Sequence, residues 1–171
     1  MPKPRVLVDS CVIIEACRTK VWKALTNHFD VETVECCVVE CCTGDIFVPG
    51  RVPLNSATLR AELAMVHPVD DDMLAAVGID FHDLPAMDPG EFHLLAWLHA
   101  NPGQAVMTVL STADRAAIRG THVMNLMDRV TSLEELAKQA HVGRNQLDKL
   151  QGHFMENWLS QVRMQLRTGV L

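Results

Sequence analysis

No apolar run in this chain approaches the roughly 18 consecutive residues that a membrane-spanning helix requires. Each is cut short by a charge or a proline, so no membrane contact of that kind is expected. Positive charge is also scarce: 15 Lys and Arg stand against 21 Asp and Glu, a formal net charge of −6. That balance argues against a broad electrostatic grip on nucleic acid. The deficit is uneven, with ten basic against seventeen acidic residues in the first 130 and near parity after them. Acidity therefore collects in the body of the chain, where a cation-binding cleft would put it. A second cysteine cluster is missing too. Cys11, Cys17, Cys36, Cys37, Cys41 and Cys42 all lie in the first quarter, whereas zinc sites usually draw ligands from two separated knuckles. The cysteines are expected to be reduced and structural. There is no internal repeat or low-complexity stretch, and Met1 to Arg5 does not read as a secretory leader, which gives a cytoplasmic expectation.

What is present begins with Val6-Leu7-Val8-Asp9-Ser10. A short apolar run enters a polar pair, which puts Asp9 at the carboxyl end of a buried strand with a helix following. In open α/β sheets ligands bind in the crevice outside those strand ends. With 171 residues, 49% of them hydrophobic, the chain can bury a full core.

Further along, helices are expected at Cys11 to Cys17 and Val21 to Phe29, a strand at Val31 to Val34, and a helix at Cys36 to Cys42 carrying Glu40. Gly44 to Pro53 is punctuated as a loop. Ser56 is positioned to cap a helix from Ala57 to Leu63, and Met65 to Val69 reads as a short strand. The acids Asp70, Asp71 and Asp72 are explained by the start of a helix over Met73 to Val77. Pro89-Gly90-Glu91 opens a helix that Pro102-Gly103 closes. Gln104 to Leu110 reads as a strand running into Ser111-Thr112-Ala113-Asp114, then a helix from Arg115 to Arg119 and a fifth strand at His122 to Leu126. Such alternation predicts an α/β fold, a parallel central sheet with helices on both faces. Ser132 and Glu135 have capping-box spacing for a helix over Leu133 to Ala140. From Arg144 to Arg167 the apolar positions follow helical spacing and predict one long C-terminal helix. Its stripe is long enough to suggest a homodimer.

Four acids then occupy equivalent places at one edge of the expected sheet: Asp9, Glu40, Glu91 and Asp114. Carboxylate oxygens suit Mg²⁺ or Mn²⁺, which can activate water for attack on a phosphate. Arg115 and Arg119 are candidates for a substrate phosphate.

In these stretches the chain resembles the PIN domain family, metal-dependent nucleases that include the VapC-type toxins of bacterial toxin–antitoxin systems. Val6 to Ser10 matches the opening strand and its Asp, Val38 to Cys42 the helix Glu, and Pro89 to Leu98 the Gly-Glu helix. Ser111 to Gly120 matches the Thr-x-Asp strand end. The likeness covers about residues 5 to 140 and implies a PIN-like domain at 1–140, with 141–171 a helical extension. It implies an endoribonuclease that hydrolyses RNA, with Asp9, Glu40, Glu91 and Asp114 as catalytic and metal-binding acids. Ser10 and Thr112 would be auxiliary, and a cognate antitoxin or inhibitor protein a partner. Where some members carry a further Asp after the last motif, this chain has Arg115, Ala116 and Ala117. Two other readings compete: a PIN-like module acting by protein contact without catalysis, and a helix-turn-helix over Ser132 to Leu150, with His141 where such turns prefer Gly.

Overall fold

The computed structural model describes residues 2–43 and 52–171; most of the loop expected over Gly44 to Pro53 lies outside them. Five strands form one sheet: β1 (Arg5–Val8), β2 (Asp30–Val34), β3 (Met65–His67), β4 (Thr108–Ser111) and β5 (Val130–Thr131). The spatial order is β3-β2-β1-β4-β5 and every pairing is parallel. The helices are α1 (Ser10–Arg18), α2 (Trp22–His28), α3 (Glu35–Cys42), α4 (Ser56–Glu62), α5 (Asp71–Asp80), α6 (Pro89–Ala100), α7 (Pro102–Ala105), α8 (Arg115–Val123), α9 (Leu133–Gln139), α10 (Arg144–Leu147) and α11 (Glu156–Arg167). The expected α/β architecture is present. Among the described residues no helix is long and apolar enough to cross a membrane.

Strand alternation divides the core in two. Val6, Val8 and Val31 face one cluster, with Val12, Ile13, Leu25, Leu133 and Leu136 of α1, α2 and α9. Leu7, Val34 and Leu110 face the other, with Val77, Leu94, Leu95, Ile118 and Val162 of α5, α6, α8 and α11. Both faces of the parallel sheet are thus covered, as strands buried on both sides require. After β1 the chain proceeds outward to β2 and β3, then returns to the other side for β4 and β5. The reversal lies between β1 and β4, where neighbouring loops diverge and leave a crevice.

Three expectations fail locally. His122 and Val123 end α8 instead of forming a strand, because the helix capped by Asp114 runs on until Asn125 takes a left-handed conformation (φ 57°). Short apolar runs carry too little periodicity to separate the two states, and the fifth strand is Val130–Thr131. Gln104 and Ala105 are helical, so β4 begins only at Thr108. The single long C-terminal helix is also absent. Its span divides into α10, a 3-10 turn at Gly152–Phe154, and α11.

The reason for that division is that the apolar stripe serves two cores. Leu150 and Phe154 enter the first cluster, while Leu159, Val162 and Leu166 enter the second. Buried Glu15 holds the bend in place. Its carboxylate accepts from Arg18 Nε and Nη2 at 2.7 and 2.6 Å and from the Gln151 backbone N–H at 2.8 Å. Arg18 Nη2 in turn donates to the Lys149 carbonyl at 2.6 Å. Most of the stripe that suggested a dimer is therefore covered within the chain, by the same two clusters that pack on the sheet.

Candidate metal centre

Asp9 follows β1 directly and its backbone N–H continues the ladder to the Ser111 carbonyl at 3.1 Å. Its carboxylate is 1% exposed yet fully engaged. Oδ1 accepts from the Ser10 N–H at 2.6 Å; Oδ2 accepts from Thr112 Oγ1 at 2.9 Å and from the Cys11 thiol at 3.1 Å. Burial pushes the Asp9 carboxyl above its ordinary value, against the pull of those donors. Thr112 also accepts from the Asp114 N–H at 3.2 Å, so one hydroxyl ties the ends of β1 and β4 across the crevice.

Asp114 is the N-cap of α8. Its Oδ1 accepts from the Ala116 and Ala117 N–H groups at 2.6 and 2.9 Å, which leaves Oδ2 for the cleft. Glu40, on α3, accepts from the Gly90 N–H at 2.8 Å and so sits at the positive end of α6. Glu91, one residue on, is 8% exposed. Burial, then the charges of Asp114 and Asp9, push its carboxyl up to about 8, so at neutral pH it holds a proton unless a cation displaces it.

Ser10, Glu40, Glu91 and Asp114 line one cleft of about 330 Å³, together with Cys11, Asp88, Ala113 and His153. Asp9 lies buried beside Ser10 and Cys11. All four acids expected from the sequence are thus brought to one place by four different elements. The two arginines are not part of it: Arg115 reaches over the Trp158 ring, 5.8 Å from its centroid, and Arg119 lines a separate cleft with Asp83 and His122.

Three neighbours escaped the sequence reading. Asp88 stands three residues before Glu91 and gives its N–H to Glu91 Oε2 at 3.2 Å; the Asp-x-x-Glu spacing before an apolar helix was a usable sign. Cys37 lies 3.9 Å from Asp9 Oδ1. Ligand atoms of Asp9, Cys37 and Glu40 all fall within 4.8 Å of one another. Burial, reinforced by Asp9 and Glu40, pushes the Cys37 thiol far up, so it is a neutral, weak ligand and the donor set remains one of hard oxygens. His153 comes from the segment expected to be continuous helix, and nothing in the sequence marked it.

The chemistry of this donor set fits a hard divalent cation: clustered carboxyls, two with pKa values raised by burial and mutual repulsion, and, among the described residues, no Lys or Arg lining the cleft. All six cysteines are free thiols. No family model, curated protein or solved structure matches the chain.

Gly90 gives a local test. A Cβ there would stand 2.3 Å from Glu40 Oε2 and 2.8 Å from its Cδ and Oε1. The clash falls on the end of a flexible side chain, so Gly90→Ala should fold with a stability change below about 1 kcal/mol. The Glu40 carboxylate must move, however, and divalent-cation affinity should fall at least several-fold in a titration followed by melting temperature.

Proposed function

We propose that the protein is a metal-dependent endoribonuclease of the PIN type, acting in the cytoplasm. The observation that supports this best is the meeting of Asp9, Glu40, Glu91 and Asp114 at the β1/β4 crevice, where Thr112 bonds both the Asp9 carboxylate and the Asp114 N–H. Asp9, Glu40, Glu91 and Asp114 would hold Mg²⁺ or Mn²⁺. A bound divalent ion neutralises clustered carboxylates, lowers the pKa of a coordinated water and steadies charge on a phosphate undergoing attack. Thr112 and the Ser10 N–H fix the Asp9 carboxylate in orientation. Glu91, protonated in the metal-free cleft, would release that proton on binding the ion and serve as one of its carboxylate ligands.

The helix-turn-helix reading loses its main element. His141 does adopt the left-handed turn conformation, φ 57°, but α10, which would be the recognition helix, is only four residues long. At ~1.5 Å per residue it is too short to lie along a groove.

Purified protein should cut single-stranded RNA in Mg²⁺ or Mn²⁺ and stop on addition of EDTA, and Asp114→Asn should lower the rate by at least a hundredfold. Metal binding without cleavage of any RNA would replace this reading with that of an inert, protein-binding PIN-like module.

A further inference from the structure

One residue of the C-terminal segment, His153, reaches the lining of the acidic cleft, and it lies beyond every motif used above. Buried Phe154 anchors the 3-10 turn and leaves exposed His153 on the lining of the cleft. The His153 ring stands 4.3 Å from the Phe154 ring and 6.2 Å from that of half-buried Trp158. Arg115, the residue after Asp114, extends its guanidinium over Trp158. An imidazole on the lining, an indole behind it and a planar cation over the indole thereby form one row beside a cleft whose charged lining groups, among the described residues, are all acids.

That combination does two things the acids cannot. Positive charge on Arg115 offsets their repulsion of a polyanion. Flat π surfaces and a guanidinium plane accept a nucleobase by stacking, which is tolerant of sequence because every base has a π face. Stacking needs an unpaired base, since in a duplex both faces are already covered. We propose that His153, Trp158 and Arg115 form the substrate rim of this cleft and hold an unpaired nucleotide next to the scissile phosphate, so that single-stranded RNA is selected over duplex. The proposal rests on the nuclease reading for the role of the cleft, but the binding it describes is measurable without turnover.

Trp22 and Trp97 are 6% and 3% exposed, so among the three tryptophans Trp158 is the one a ligand can reach. In Ca²⁺, a six-nucleotide single-stranded RNA should quench tryptophan emission saturably, and the matching duplex should need at least tenfold more. By anisotropy of labelled RNA, His153→Ala, Arg115→Ala and Trp158→Ala should each weaken binding about tenfold. Trp158→Phe, which keeps a stacking ring, should bind within about twofold of wild type while losing the quench. Equal binding of single strand and duplex, or wild-type affinity in His153→Ala, overturns the proposal; His153 is exposed, so that variant folds. If RNA is bound in this pattern but never cut, the nuclease reading falls and the rim stands. If RNA is cut and the rim variants leave KM unchanged, the reverse holds.

Discussion

Asp9→Asn should stabilise the metal-free protein and at the same time abolish its response to Mg²⁺ or Mn²⁺. In the wild type, burial first and then the charges of half-buried Asp114 and buried Asp9 raise the Glu91 carboxyl from 4.5 to about 8. The native state therefore keeps a proton on Glu91 between those two pH values while the unfolded chain has released it. Stability of the metal-free protein must fall as pH rises from about 4.5 to about 8. Removing the Asp9 charge removes part of that penalty, and the slope should flatten. The substitution is sterically neutral: the Asn oxygen can still accept from the Ser10 N–H, and the Thr112 hydroxyl can rotate to accept from the new amide. With divalent cation at a hundredfold excess over Kd, linkage should stabilise the wild type by about 2.7 kcal/mol, or roughly 5–10 °C for a domain of this size. Asp9→Asn should show almost none of this rise. Asp71→Asn, an exposed acid in the first turn of α5, should retain it. Denaturant midpoints at pH 5 and pH 8, with and without Mg²⁺, decide the matter. A wild-type metal response in Asp9→Asn would mean that the four acids do not act as one site.

The sheet and the acids were legible in the sequence for a common reason. Val6-Leu7-Val8 followed by Asp9, and Val109-Leu110 followed by Ser111-Thr112-Ala113-Asp114, place an apolar run, a strand end and a helix cap in consecutive residues. The local pattern and the tertiary role coincide there. Pro89-Gly90-Glu91 carries the same kind of signal, and the Glu40 bond to Gly90 gives its glycine a packing reason that spacing alone could not supply. What was not legible depended on partners distant in sequence. The break between α10 and α11 is imposed by Glu15 and Arg18 holding Lys149 and Gln151, more than 130 positions away. A stripe read as one helical face conceals the fact that its two halves enter different cores. His153, and with it the rim, was hidden behind that misreading.

Glu32→Ala should unfold the protein more readily than any loss at the cleft, by about 3–5 kcal/mol. Glu32 is buried in β2, an interior strand of the sheet, on the face shared by Leu7 and Val34, where an unpaired carboxylate would be untenable. Arg5 grips it from the next strand with Nε to Oε1 at 2.7 Å and Nη2 to Oε2 at 2.8 Å, and His67 Nε2 lies 2.7 Å from Oε2. The His67 ring is stacked on Trp97 of α6, 4.1 Å between centroids, so the ion pair, the sheet and the second core are fastened at one point. Burial alone would raise the Glu32 carboxyl, but bonds to His67 and Arg5 outweigh it and hold the group down at about 2, against 4.5 when unperturbed. The stabilisation is therefore complete above about pH 4.5 and is lost as pH falls toward 2, because the unfolded chain takes up the proton first. Alanine leaves the Arg5 guanidinium, 28% exposed, with the Gln104 amide oxygen at 3.1 Å but without its carboxylate, and leaves His67 unpaired as well, which is why the cost exceeds that of a surface pair. Replacing both partners with apolar residues of similar volume, Arg5→Met with Glu32→Leu, removes the stranded charge and should recover most of the loss. Urea denaturation at pH 7 separates these outcomes. If the double variant is no more stable than Glu32→Ala, the cost lies in strand packing and not in the uncompensated charge.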